Sequence, residues 1–170
     1  VTVALRRATA DDLPQVTGVF LACWRGSYAA VLPERLVTTM TDERAATMWA
    51  RALTAPTGAT VVAAEDGNLL GVTRYDASGT EGAVHSLYIS PAAQGLGIGS
   101  RLLDHAVADF AARGVASATL WVFAGNGPAI AFYRSRGWLP DGGTRVEPEF
   151  GEAELRLRRE LREGAGRAGG

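Results

Sequence analysis

Three glycines alternate through Gln94-Gly95-Leu96-Gly97-Ile98-Gly99-Ser100, and what flanks them limits the folds open to this chain. Residues 83–89, before them, form a sheet-type run that stops at Ser90-Pro91. After them Ile98, Leu102, Ala106 and Phe110 recur every four residues, with Leu103 and Val107 alongside, and Gly114 closes the run. That is the period of a helix burying one face. A strand delivered through glycines into a helix exposes backbone N–H groups where the orphan donors and the helix dipole favour an anion. Such a turn can hold a pyrophosphate without a lysine. This chain has no lysine; its basic residues are all arginine.

Two familiar phosphate loops do not fit. In G-x-G-x-x-G the third glycine falls on Ser100 when counted from Gly95 and on Leu102 when counted from Gly97, and no Gly-Lys pair completes a P-loop. A turn that only connects strand to helix is the plainer alternative.

The rest of the chain reads as a mixture of strands and helices. Residues 3–7 alternate as a short strand, and Thr9-Ala10-Asp11-Asp12 caps a helix running towards Trp24. Residues 26–40, broken by Gly26 and Pro33, suit a turn and a short helix, and Thr41-Asp42 caps another over 43–53. Strands at 59–64 and 69–75 are joined by Glu65-Asp66-Gly67-Asn68, whose Asp-Gly pair signals a hairpin. Residues 118–123 are apolar apart from Thr119, as in a central strand covered on both faces. Asn126-Gly127-Pro128 opens a short helix through Ser135, closed by Gly137. Residues 153–161 alternate apolar with charged, as an edge or hairpin strand does, and 164–170 form a small flexible tail. The expected fold is α+β, one domain over 1–163, with helices on both sides of a mixed sheet.

Composition excludes several partners. The formal net charge is −1 and the pI about 6.2, without the basic excess of a nucleic-acid binder. Cys23 is the only cysteine, so no intrachain disulfide forms and a reducing compartment is expected. No apolar run approaches the roughly 20 residues that span a bilayer, and no signal peptide is recognised, so a cytoplasmic protein with no membrane partner is expected. His85 and His105 are the only histidines and lack ligand-type spacing, so no metal is expected.

Leu87-Tyr88-Ile89-Ser90-Pro91 followed by Gln94-x-x-Gly97-x-Gly99 resembles the acetyl-CoA signature of the GNAT acetyltransferases, Q/R-x-x-G-x-G/A. Asn126-x-x-Ala129-x-x-Phe132-Tyr133 and Arg136-Gly137-Trp138 resemble that family's second cofactor motif. The resemblance is tight over 83–140 and looser over 3–161. It implies a largely antiparallel sheet of six to seven strands, splayed between the fourth and fifth, with the cofactor's pantetheine arm in the gap. Acetyl-CoA would then be held by Leu87, Tyr88 and Ile89, by the turn Gln94, Gly95, Leu96, Gly97, Ile98, Gly99 and Ser100, and by Asn126 and Tyr133. Asn126 also reads as a helix cap. Tyr133 would protonate the departing thiolate, or else be a packed aromatic beside Phe132.

The base is less defined. Where many family members carry a glutamate in the fourth strand this chain has Ala83, and where a ribosomal-protein-modifying branch has one in the fifth it has Trp121. Glu81 and His85 are the nearest candidates, and a water relay stays open. For the acceptor amine the resemblance points to Trp24 and Tyr28, with Glu149 in an acidic cluster of Glu147, Glu149 and Glu152 suited to a cation. The expected activity is acetyl transfer to a primary amine, a small molecule or a peptide N-terminus, by a monomer or homodimer. A non-catalytic acyl-CoA sensor is the alternative.

Overall fold

The computed structural model describes residues 2–161; the expected tail at 164–170 and the domain end at 163 lie outside the described residues. The strands are β1 (Ala4–Arg7), β2 (Ala59–Glu65), β3 (Asn68–Ser78), β4 (Glu81–Ile89), β5 (Ser117–Phe123), β6 (Leu139–Val146) and β7 (Ala153–Glu160). They form one seven-stranded sheet in the order β1-β2-β3-β4-β5-β7-β6. Neighbours are antiparallel except β4 and β5. A parallel pair needs a crossover, and α4 (Ile98–Ala112) supplies it. The other helices are α1 (Leu13–Arg25), α2 (Glu34–Thr39), α3 (Asp42–Thr54) and α5 (Gly127–Arg134).

Side-chain alternation along the strands divides the core into two layers. Val61 packs with Tyr75, Val84, Leu102, Phe110 and Leu120 on the α4 face. Its neighbour Val62 packs with Val72, Phe20, Trp24 and Trp49 on the face covered by α1 and α3. A strand buried on both sides is almost wholly apolar, which is why β2 reads as Ala-Thr-Val-Val-Ala-Ala, with Thr60 the one polar side chain of the six. Gly82 brings β4 close to α4: a Cβ there would lie 2.9 Å from the Phe110 ring. The β2–β3 turn is two residues, Asp66 and Gly67, at φ 49° and 80°, as the Asp-Gly signal required.

Strand β4 carries the irregularity that shapes the molecule. Arg74 pairs with Ser86 and Tyr75 with Val84, so His85 has no partner on β3 and forms a bulge. On its other edge β4 pairs with β5 only from Glu81–Ser117 to Val84–Leu120. Beyond that point β5 continues along β7 alone, through Trp121–Arg156 to Phe123–Glu154. The sheet is therefore split at one end.

One strand is not foreseen in the sequence, and one expectation needs correction. Residues 139–146, with Pro140 and the Gly142-Gly143 pair, lack strand character in the sequence, yet they form β6 by pairing with β7 across an irregularity between Pro140 and Thr144. Cross-strand pairing overrides intrinsic preference here. Strand β7 is thus a hairpin strand inside the sheet, not an edge. Strand β5 is central but not covered on both faces: Leu120 and Val122 are buried, whereas Thr119, Trp121 and Phe123 are half-buried. The Arg145 guanidinium lies 4.2 Å from the Trp121 ring, where no helix covers it.

At the start of α1, Arg6 donates from both terminal nitrogens to Asp12 at 2.8 Å, and the Thr9 N–H donates to the same buried carboxylate at 2.8 Å. The hydrogen bonds from Arg6, followed by that of Thr9, hold Asp12 below the usual carboxylate range against the opposing effect of burial. A carboxyl whose pKa is depressed by folding stabilises the fold above its unfolded pKa and loses that contribution as pH falls through its folded value. Asp12→Ala should cost about 1–2 kcal/mol at neutral pH. Urea melts at falling pH should show the gap to wild type closing below about pH 4.

Candidate active site

The split between β4 and β5 opens into a cavity of about 510 Å³. Leu87 and Ile89 of β4 form one wall, the turn after β4 forms the floor, and Pro128, Ala129, Phe132 and Tyr133 of α5 form the other wall. Gly95 and Gly97 both sit at φ 79°, a conformation that side chains resist, and Gly97 immediately precedes α4. Gln94 donates to Ser27 Oγ at 2.6 Å and fixes the entry to that turn. Arg136, just beyond α5, reaches back to Ser100 Oγ and lies 4.8 Å from the Phe132 ring centre. Its Nε is buried without a hydrogen-bond partner. A buried unsatisfied donor beside a glycine turn and a helix N-terminus is a place that an anion would complete. These residues fit the diphosphate of coenzyme A.

Asn126 is buried and caps α5, its Oδ1 accepting the Ala129 N–H at 3.3 Å. It also belongs to a second cavity, of about 170 Å³. Tyr28, Leu87, Asn126, Ala129 and Tyr133 line both spaces, so the two meet around Tyr133. Burial, and behind it the nearby Cys23, pushes the Tyr133 phenol well above its ordinary pKa. Tyr28 and Tyr88 are raised for the same first reason, and burial also raises the Cys23 thiol. All four groups keep their protons at neutral pH.

Aromatic rings build the second cavity. Trp24 is buried, donates from Nε1 to Leu36 O at 3.2 Å, and packs 5.4 Å from Tyr28 and 5.4 Å from Phe150. Phe150 is carried by the turn between β6 and β7, which two ion pairs tie to the helices: Arg35 of α2 to Glu152 and Arg44 of α3 to Glu149. Glu147 lines the cavity and accepts the Phe150 N–H at 2.7 Å.

The expected site residues divide accordingly. Leu87, Ile89, Gln94, Gly95, Gly97, Ile98, Gly99, Ser100, Asn126 and Tyr133 line the larger cavity. Trp24, Tyr28, Tyr88 and His85 line the smaller one, with His85 exposed on its bulge and its Nε2 3.0 Å from Asp76 Oδ1. Three are not brought in. Leu96 projects into solvent at 69% exposure. Glu149 is held by Arg44 outside both cavities, and Glu81 is held at the paired end of β4 by Ser117 Oγ at 3.1 Å and Arg158 at 3.3 Å.

Sequence reasoning missed Arg136 and Glu154. Glu154 lines the smaller cavity, is 7% exposed, and accepts from Arg145 Nε at 2.8 Å. In an alternating strand the charged positions read as solvent-facing, and nothing local marks Glu154 apart. For Arg136, the flag available was its place inside the second cofactor motif.

Among the described residues no group of three or more His, Cys, Asp or Glu is placed to hold a metal ion, and no helix is long and apolar enough to cross a membrane. The split sheet, the glycine turn and the buried phenol are together the architecture of coenzyme A-dependent acyltransferases, the class that the motifs resemble. Residues 21–138 match the Acetyltransferase (GNAT) family. The chain belongs to that family and is an acetyl-CoA-dependent N-acetyltransferase. It is similar to the uncharacterized N-acetyltransferase YuaI of Bacillus subtilis (strain 168), 25% identical over 139 residues that make up 78% of each chain. In fold it is similar to the PaiA N-acetyltransferase of Thermoplasma acidophilum, solved in complex with coenzyme A, at TM-score 0.74 and 18% identity over 94% of this chain and 99% of that one. The ribosomal-protein-S18-alanine N-acetyltransferase of Escherichia coli superposes at TM-score 0.73 and 17% identity, over 99% and 100% of the two chains.

The cap on α5 can be tested directly. Asn126→Ala should cost about 1 kcal/mol, and Asn126→Ser, which restores an acceptor at the helix start, should recover most of it in urea melts.

Proposed function

We propose that this enzyme moves the acetyl group to a primary amine, on a small molecule or a peptide N-terminus, by direct attack where the two cavities meet. The observation that carries the reading is the shared wall at Tyr133: one space suits a coenzyme A thioester, the other an acceptor, and a protonated phenol stands between them. Acetyl-CoA supplies an acetyl group activated as a thioester. The chain supplies position and protons. Gly95, Gly97 and Ser100 hold the diphosphate together with Arg136, while Leu87 and Ile89 lie on the stretch of β4 that has parted from β5. Holding both reactants in one orientation is worth several kcal/mol.

Tyr133 is the general acid, donating its Oη proton to the sulfur that leaves. A raised phenol pKa alone would make it a weak acid, but the Cys23 thiol in the same cavity is raised by the same burial. A thiolate formed there is a stronger base than one in water, so the proton transfer stays matched. On the acceptor side His85 is the proton acceptor we favour, oriented through Nε2 by Asp76. Glu81, tied to Arg158 and Ser117, is left without that role.

Tyr133→Phe should lower kcat by about 10²–10⁴-fold with little change in the Kd for acetyl-CoA, measured by steady-state kinetics and calorimetry. Arg136→Gln should do the reverse, weakening acetyl-CoA binding by about 10-fold or more while sparing kcat. His85→Ala should lower kcat by about 10²-fold or more. An unchanged kcat would exclude His85 as the base.

A further inference from the structure

The charged side chains on the wall of the smaller cavity are Glu147 and Glu154, with His85 beside them. No arginine is among the residues that line that wall, although three lie close by. Those three contact lining residues or their neighbours without lining the cavity themselves. Arg145 and Arg156 lie over the Trp121 ring at 4.2 and 5.7 Å, and Arg156 and Arg158 bind Asp141 at 2.7 and 3.4 Å. Arg145 offsets the charge of Glu154 through one oxygen. The carboxylate of the other acid, Glu147, accepts the Phe150 N–H and is in no ion pair among the described residues. The cavity therefore keeps a net negative wall. Around the carboxylates stand the rings of Trp24, Tyr28, Phe123 and Phe150, which attract a cation through their faces. Its volume is about 170 Å³, a third of the larger cavity's about 510 Å³. An acceptor that enters whole is therefore small.

We infer that the acceptor is a small diamine: one nitrogen is acetylated at Tyr133, and the second stays an ammonium ion held by Glu147 and Glu154 against the aromatic wall. This rests on the acetyltransferase reading above and narrows its substrate class. The reacting nitrogen enters as an ammonium ion and first gives one proton to the base and on to solvent. As the N–C bond forms and the thioester C–S bond breaks, it loses a second proton, balanced by the one that Tyr133 gives the departing sulfur. The product keeps one positive charge where the substrate carried two, the other having left as the proton passed to solvent. An amine with a carboxylate in place of the second nitrogen would bring an anion against two carboxylates and is disfavoured.

The test compares 1,4-diaminobutane, butylamine and 4-aminobutanoate as acceptors, following acetylated product by mass spectrometry and acetyl-CoA binding by the shift in Tm. The diamine should exceed butylamine in kcat/KM by about 10- to 100-fold, the range of a charge-assisted contact, with 4-aminobutanoate the poorest. Glu147→Gln should lower the diamine-to-butylamine ratio by about fivefold or more, mainly through the KM of the diamine. A ratio near one in the wild type, a ratio unmoved by Glu147→Gln, or 4-aminobutanoate used as well as the diamine would each overturn the inference. Transfer to none of the three, with acetyl-CoA still raising Tm, also overturns it and leaves the cofactor site standing. Transfer to none and no rise in Tm would bring down the acetyltransferase reading itself.

Discussion

The parallel ladder between β4 and β5 ends at Val84–Leu120, and the rest of the molecule is organised around that early stop. Had the two strands stayed paired, the backbone groups of Leu87 and Ile89 would be spent on β5. Because they part, the sheet contains an opening lined by strand on one side and by α5 on the other. The bulge at His85 re-aims β4 as the gap begins. Gly82, at the joined end, lets α4 press its Phe110 against the strand, so the split is anchored by close packing where the strands still touch. The crossover helix then starts at the mouth of the gap, which brings its N-terminal donors to the place where an anionic group would enter.

Much of this was legible in the chain itself, for physical reasons that differ by region. The glycine turn, the amphipathic period of α4 and the Asp-Gly hairpin are local signals, each set by backbone conformation or by one buried face, and local signals survive in a single sequence. So do the paired motifs that identify the cofactor cavity. What was hidden depended on pairing at a distance. Strand β6 is held by β7 despite Pro140 and two adjacent glycines, and Glu154 is buried because β7 lies inside the sheet, not at its margin. The acidic cluster shows the same limit. Glu147, Glu149 and Glu152 look alike in sequence, yet two of them meet arginines from helices more than a hundred positions away, and of the three only Glu147 lines the cavity beside Tyr133.

The burial of ionisable groups also has a common thread. Tyr28, Tyr88, Tyr133 and Cys23 share one enclosed region, and burial raises all of them in the same direction. A dry environment that keeps phenols and thiols protonated also strengthens every charge interaction made inside it. These four side chains around the two cavities therefore stay neutral at neutral pH, and a charge brought against them is felt strongly.

The two halves of the site are built from different materials. The wall on the coenzyme A side is secured by helix packing and backbone geometry, whereas the turn that carries Phe150 and Glu147 is moored by Arg35–Glu152 and Arg44–Glu149, pairs with well-exposed partners. Exposed pairs of this kind contribute about 0–1 kcal/mol and weaken as mobile ions crowd within a Debye length of about 8 Å at physiological strength. Dissolved salt thus acts unevenly on this molecule, loosening the turn that carries Phe150 and Glu147 more than the walls that packing holds in place.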